Sequence, residues 1–433
     1  MHQEIIKWVN LTFQDRISKD IVVRSEANQW IISIKGNDCL FFNINPNFYK
    51  FNKPTYCESL IVENQSLFFF KFTKEHLYFN FDNSHFSTNY DFIGGVFWYM
   101  NRLEEYNSNK LDLHNRYSYF NSTAYEFGLI LRPIIDEYFS LLKLILNKIV
   151  KDINFNVKKF TVYQTFDIDT PFLIINKNLY RICRHLVNSI FHLKFVYSYR
   201  ILKIWITYKY NKNDELDPMN NFKKIFNSLK FFKQEGIFFL ITNCSNRYRD
   251  GDSDLKRKNI RNLSKSILDN GFKLGFHFSF DSYNNIFLLN KEINISKKYN
   301  IPFSMISRQH YLRYDISATP SSLDNMKITN DYTLGFPEQV GFRCGTSHPF
   351  RMFDFCNMKV LELIQNPLIA MDVTLFGKNY MNLDFNYARE ILFKLKNEVK
   401  KHEGNLILLW HNDQISTKDR YIFFESIIEN ISK

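Results

Sequence analysis

Residues 160–169 read F-T-V-Y-Q-T-F-D-I-D, and the architecture turns on how this stretch is read. The run 160–166 is rich in β-branched and aromatic side chains that suit a pleated, half-buried surface, and it ends on Asp167 and Asp169. On a continuing strand, residues two apart share a face, so the two acids can divide the work of base and metal ligand. A D-x-D by itself is common in turns and at helix caps. Repetition raises it above that background. Residues 273–277 lead to His277 in G-F-H-F-S-F-D, 303–306 lead to R-Q-H-Y-L-R with Arg308, His310 and Arg313, and 405–410 lead to His411 in L-W-H-N. Further strand-like runs lie at 237–241 and 367–373, and helical periodicity at 218–233, 253–270, 286–299, 383–402 and 418–431. Asp217 before Pro218 predicts a helix start, and Gly271 and Gly404 predict helix stops. Short apolar runs alternating with amphipathic helices predict parallel β/α units, more simply closed as a barrel than left open, with the polar clusters gathered at one rim.

Ahead of this region, residues 1–155 read as a smaller α+β domain. Strand-like runs at 20–24, 30–34 and 66–72 precede two helical segments, one containing 95–105 and one spanning about 123–150. Between the helices, D-L-H-N-R at 112–116 reads either as a solvated connection or as a polar patch that docks on the following domain. A chain of 433 residues is long for one core, so two domains are expected, 1–155 and 156–433.

Composition narrows the function classes. The 45% hydrophobic and 17% aromatic content excludes disorder. Phe, Tyr, Ile, Asn and Lys are used heavily in the manner of a low-GC coding bias, so the net charge of +12 reads either as that bias without functional meaning or as favouring an anionic glycan, membrane or nucleic acid. Cys39, Cys57, Cys183, Cys244, Cys344 and Cys356 form no C-x-x-C pair and predict reduced thiols in a cytoplasm. The first residues, M-H-Q-E-I-I-K-W-V-N, lack the features of a secretory signal, and no run of apolar residues is long enough to span a bilayer. The expected location is cytoplasmic, membrane-peripheral at most. Neither a G-x-G-x-x-G nor a Walker loop is present, and the basic residues match no recognition motif, so no nucleic-acid partner is expected.

One segment breaks the β/α rhythm. Residues 172–212 hold eight Lys or Arg and no Asp or Glu, interleaved with Leu, Ile, Phe, Tyr and Trp. Such a stretch either lies on an anionic membrane or packs its apolar stripe on the neighbouring domain.

Each cluster has a chemical reading. His277 and Asp281 are four apart, a spacing that brings two ligands together on a turn, and Gly275 permits close backbone approach. With Asp169 they form an oxygen, nitrogen, oxygen set suited to zinc, cobalt, nickel or manganese. Arg308 and Arg313 can clamp a carboxylate. His411 can protonate a leaving group near neutral pH. His310, Arg343 in G-F-R-C-G-T-S-H-P-F, and Trp410 are the candidates for substrate contact.

Taken together, T-F-D-I-D, G-F-H-F-S-F-D, R-Q-H-Y and L-W-H follow the motif order of the polysaccharide deacetylase (NodB-homology) family, which this chain resembles. It looks closer still to a bacterial subgroup carrying R-Q-H-Y-L-R, T-L-G-F, G-F-R-x-G-T and W-H-N behind an added N-terminal domain, to which D-F-I-G-G-V-F-W-Y-M-N-R-L-E-E-Y and L-R-P-I-I-D-E-Y are similar. The resemblance implies a distorted (β/α) barrel with a divalent metal, zinc first among the choices, that removes an acyl group from an amino sugar of a cell-envelope glycan or its precursor. It implies Asp167 as general base, Asp169 and His277 as metal ligands, Arg308 as the residue that keeps Asp167 ionised, and His411 as the acid for the departing amine. The chain departs from the family where a second histidine is expected and Asp281 stands. Either Asp281 completes a variant site, or His310 supplies the missing nitrogen, or the metal is lost and the protein is a catalytically silent carbohydrate-binding or assembly protein.

Overall fold

The computed structural model describes residues 1–82, 85–106, 108–175, 177, 179–211, 214–246 and 248–432. The chain divides into two compact units, one of residues 1–161, 283–286 and 311–407, the other of 162–282, 287–310 and 408–433. The first unit is therefore discontinuous in sequence.

The first unit opens with α1 (Gln3–Arg16), a helix that the strand-led reading of this region does not include. Its buried residues Ile5, Trp8, Val9, Thr12, Phe13 and Arg16 recur at helical spacing and form one stripe. Strands β1 (Ile21–Glu26), β2 (Gln29–Ile34) and β3 (Asn37–Asn43) form an antiparallel meander, and β4 (Tyr56–Val62) pairs with β5 (Gln65–Lys71). A third hairpin joins β6 (Phe79–Asp82) and β7 (His85–Thr88). The helices are α2 (Phe92–Met100), which is buried along its whole length, the single turn α3 (Thr123–Glu126), and α4 (Ile134–Ile149). The segment expected to be one helix from about 123 is broken at Gly128, which takes a positive φ of 67°, and at Pro133.

The second unit begins with β8 (Thr161–Ile168), followed by the helices α5 (Leu179–Phe191), α6 (Phe195–Asn211) and α7 (Phe222–Phe231). Then β9 (Glu235–Leu240), α8 (Lys258–Asp269), β10 (Lys273–Phe278), α9 (Ile286–Lys298) and β11 (Ile306–Gln309) alternate as β/α repeats should. Strands β8 to β11 run parallel, with Thr165 opposite Ile237, Gly275 opposite Phe239 and His277 opposite Arg308. Asp217 does not cap α7. It accepts instead from the backbone N–H groups of Leu173 (2.8 Å) and Ile174 (2.9 Å), and the helix begins at Phe222. Gly271 follows α8 with φ of 84°, as a helix stop requires.

The remaining elements are α10 (Thr319–Asn325), β12 (Asn330–Asp331), β13 (Phe350–Asp354), β14 (Lys359–Gln365), β15 (Ala370–Met371), α11 (Asp372–Phe376), α12 (Phe385–Lys401), β16 (Asn405–His411) and α13 (Lys418–Asn430). In the first unit β14 pairs parallel with β12 and antiparallel with β13. In the second, β16 lies beside β8, giving the order β11-β10-β9-β8-β16. The strand expected at 367–373 shrinks to β15, and the chain enters α11 at Asp372. After α12 the left-handed residue is Glu403, with φ of 57°. A Cβ on Gly404 would stand 1.9 Å from the Ser347 hydroxyl, so that glycine serves close approach.

A buried polar network ties the G-F-R-C-G-T-S-H loop to α1 and α4. Arg16 Nη2 donates to Asp136 Oδ1 at 2.9 Å, and the Ser347 N–H and hydroxyl both donate to Asp136 Oδ2 at 2.8 Å. Next to it His348 Nε2 lies 2.8 Å from the His402 carbonyl oxygen. Burial, reinforced by the Arg16 charge, pushes the His348 pKa down to about 4 from its ordinary 6.5. The folded state thus resists a proton that the unfolded chain accepts, so stability present above pH 6.5 is lost as the pH falls toward 4. Equilibrium unfolding in urea is expected to lose about 3 kcal/mol across that window from this group, and His348→Gln to flatten the loss. An unchanged pH slope in the variant would contradict the assignment.

Candidate metal centre

The residues of the site come from the ends of neighbouring strands in the second unit. Asp167 lies within β8, and Asp169 stands one residue past its end. The loop after β9 fixes that turn, since the N–H groups of Asp252 and Ser253 donate to the Asp169 carbonyl at 3.0 and 3.2 Å. Gly251 makes this possible: its φ is 68°, and a Cβ there would fall 2.3 Å from the Asp169 carbonyl oxygen. His277 sits near the end of β10, directly across from Arg308 on β11. The strand β11 starts at Ile306 and not at 303, so Arg308 is inside the strand and His310 is the first residue beyond it.

Three donor atoms converge. His277 Nε2 is 3.1 Å from Asp169 Oδ1, His310 Nδ1 is 3.4 Å from the same oxygen, and the two imidazole nitrogens are 2.9 Å apart. The outer nitrogens settle the tautomers. His277 Nδ1 faces the Arg308 carbonyl at 3.0 Å and His310 Nε2 faces the Arg249 carbonyl at 2.9 Å, so each outer nitrogen is an N–H that donates to a backbone oxygen. Two inner lone pairs and a carboxylate oxygen then point at one another. Asp169 Oδ1 is buried and accepts no hydrogen bond. Such an arrangement repels itself unless a cation or proton lies among the three atoms, and histidines that anchor their outer N–H on carbonyls are the usual metal ligands. One carboxylate and two imidazoles, their donor atoms all within 4.8 Å of one another, fit a divalent cation.

The electrostatics agree with that fit. Burial opposes ionisation of Asp169, but the charges of His310, His277 and His411 outweigh it and hold the carboxyl well below the usual range. Burial also opposes a charged His277, yet the Asp167 charge and the nearby Asp169 carboxylate raise its pKa. His310 is lowered, burial being the main cause.

Around the donor set stand the groups with chemical capacity. Arg308 Nη1 donates to Asp167 Oδ1 and to Thr165 Oγ1, both at 2.9 Å, and its guanidinium lies 4.7 Å from the centre of the Phe239 ring. Thr165 in turn donates to the Leu408 carbonyl at 2.7 Å. Arg308 is fully buried and Asp167 nearly so, at 3% exposure. The other oxygen of Asp167 is 3.6 Å from His277 Nε2. His411 Nε2 is 3.9 Å from Asp169 Oδ2, its side chain 13% exposed.

Three residues expected at the site are elsewhere. Asp281 is exposed and accepts a hydrogen bond from Asn246 Nδ2 at 3.3 Å, while the buried Glu292 holds Ser279 and Ser282, and Asp250 holds the Phe280 N–H at 2.7 Å. These anchors turn the chain after β10 so that position 281 points away, and His310 completes the donor set. Arg343 belongs to the first unit and is 1% exposed. Its guanidinium forks onto Glu105 (2.6 and 3.0 Å) and the Gly335 carbonyl (2.9 Å), which makes it a structural cation and not a substrate contact. Trp410 is 2% exposed, donates to Gln164 Oε1 at 2.8 Å and packs edge-on against Phe424, so it fills the core. The D-L-H-N-R cluster is structural as well: Arg116, 5% exposed, donates to the Tyr311 carbonyl at 2.9 Å, and Arg313 Nε donates to the His114 carbonyl at 2.8 Å. Sequence reading missed Gly251, the Arg249 carbonyl and Glu292. Of these only the R-D-G-D turn carried a local signal.

Comparison with known proteins adds the following. Residues 6–151 match the sequence profile of a family of unknown function, DUF7033. No curated protein sequence matches the chain. Among solved structures, the chain is similar to a protein from Mycobacterium smegmatis described as a polysaccharide deacetylase, at 14% identity and a TM-score of 0.42, covering 64% of this chain and 85% of that one. It is also similar to Puue allantoinase, at 10% identity and a TM-score of 0.38, with the same coverage. Scores this low carry no argument about fold or chemistry, which rest on the geometry above.

Proposed function

We propose that this chain is a metal-dependent hydrolase that removes an N-acyl group, acetyl in the first instance, from an amino sugar of a cell-envelope glycan or its precursor. We place the activity on a distorted (β/α) barrel of the polysaccharide deacetylase type at 156–433, with 1–155 as an accessory domain and a cytoplasmic location. The observation that carries this reading is the convergence of Asp169, His277 and His310 beside a buried Asp167–Arg308 pair and His411. When bound by these three residues, a divalent cation of the zinc class supplies Lewis-acid polarisation and lowers the pKa of the attacking water.

The chain's own groups do the rest. Asp167, held by Arg308 at 2.9 Å, presents its second oxygen toward the cavity as the acceptor for the proton of the attacking water. Arg308 is a positioning residue, since its hydrogen bond to Oδ1 orients the Asp167 carboxylate. His411, across the cavity and partly exposed, delivers a proton to the departing amine, without which the carbon–nitrogen bond cannot break productively. The His310 donor weakens the case for a silent carbohydrate-binding protein, which drew its support from Asp281.

The test is elemental analysis of protein prepared without a histidine tag, followed by assay on N-acetylated amino-sugar oligomers. Near one divalent ion per chain, lost in His277→Ala, is expected. Asp167→Asn and His411→Ala should each retain the fold and lower turnover about 10²- to 10⁴-fold. Undiminished turnover in both would refute the assigned roles, and a metal-free protein after reconstitution would refute the reading as a whole.

A further inference from the structure

We infer that the α5–α6 hairpin is a docking device for an anionic membrane surface. It interrupts the β/α alternation of the second unit directly after the strand that bears Asp167 and Asp169. Among its described residues only Ile182 and Ser189 of α5 and Ile201 and Ile204 of α6 are buried, and the Ser189 and Ser198 hydroxyls lie 2.5 Å apart. The rest is open. At the tip, Phe191 is 82% exposed, Leu193 75%, Phe195 60% and Val196 69%. Side chains of this size leave water only when something covers them, and a contiguous cluster is a binding surface and not scattered surface residues.

The charge pattern selects the occupant. Arg184, Lys194, Arg200 and Lys203 are all exposed, and residues 172–212 contain no acid. A second copy of this chain would bring the same positive surface against itself, which electrostatic complementarity disfavours. Nucleic acid would satisfy the charge and could stack on Phe191 and Phe195, but it offers no apolar partner to Leu193 and Val196 beside them. An anionic bilayer satisfies both, with phosphates on the basic side chains and the apolar tip among the upper acyl carbons. Neither helix traverses the bilayer, because among the described residues no helix is long and apolar enough to cross a membrane. The inference stands apart from the hydrolase reading, and its test needs no turnover.

The full chain is floated with vesicles of phosphatidylcholine alone and of phosphatidylcholine mixed with phosphatidylglycerol, at low and high salt. Flotation with the anionic vesicles only, released by salt, is expected. Phe191→Ser, Phe195→Ser and Val196→Ser combined should lower the bound fraction about ten-fold or more. Lys194→Gln, Arg200→Gln and Lys203→Gln combined should do the same. All these positions are exposed, so both variants should keep the wild-type circular dichroism and melting curve. Absence of flotation at low salt, or undiminished flotation by the tip variant, would overturn the inference. So would light scattering that finds a dimer in wild type and a monomer in the tip variant while vesicles go unbound.

Discussion

His310→Ala is expected to weaken divalent-metal affinity at least about 100-fold, while Asp281→Asn leaves it at the wild-type level. The contrast follows from placement. His310 Nδ1 sits 2.9 Å from His277 Nε2 and 3.4 Å from Asp169 Oδ1, whereas Asp281 is on the surface with Asn246. Without the His310 ring two protein donors remain, too few to hold a cation of this class against water. The same variant frees the Arg249 carbonyl from its imidazole partner, so the loop bearing Gly251 should loosen as well. Competition with a chromophoric chelator measures both variants directly. Full metal retention by His310→Ala, or loss in Asp281→Asn, would exchange the roles of the two residues and undo the donor set described above.

Arg308→Met should be the most destabilising change in the second unit, by about 3–5 kcal/mol in denaturant unfolding. Asp167 is 3% exposed, and Arg308 is its charge partner within hydrogen-bonding distance, so removing the guanidinium strands a carboxylate in the interior. The loss also takes the hydrogen bond to Thr165 and the cation–π contact with Phe239. Adding Asp167→Asn removes the stranded charge, and the double variant should recover a substantial part of the stability. Equal instability of the single and double variants would show that packing, and not the buried charge, sets the cost. Arg308→Lys should recover less than its charge suggests, because an ammonium cannot reproduce the guanidinium's planar fork.

Much of this was legible locally. The helices α8, α9, α12 and α13 fall close to where a 3.6-residue apolar period places them, because an amphipathic stripe is a property of the segment itself. Hairpins were harder. The β1–β2 and β4–β5 turns place Ala27-Asn28 and Glu63-Asn64 at positive φ, and neither pair contains the glycine that usually announces such a turn. Residues 172–212 were recognisably basic and apolar, but whether their stripe was covered depended on what packed against it. Among the described residues the tip remains exposed.

The sequence by itself determined the order of the chemistry along the chain: Asp167 and Asp169 at the end of one strand, His277 at the end of another, Arg308 and His310 next, His411 last. Strand-ending polar residues are visible because they break an apolar run. Only the tertiary structure decided which of them meet. The pairing of His277 with Arg308 across β10 and β11 brings His310 up to the His277 ring, and the buried Asp250 and Glu292, from the loop after β9 and from α9, hold the chain after β10 with Asp281 outward. Arg343 and Trp410 look like ligand contacts in one dimension, and their partners Glu105 and Gln164 are supplied by residues more than two hundred positions away. Spacing along the chain fixes neither strand register nor long-range partners, because both are set by packing among segments that the local pattern cannot relate.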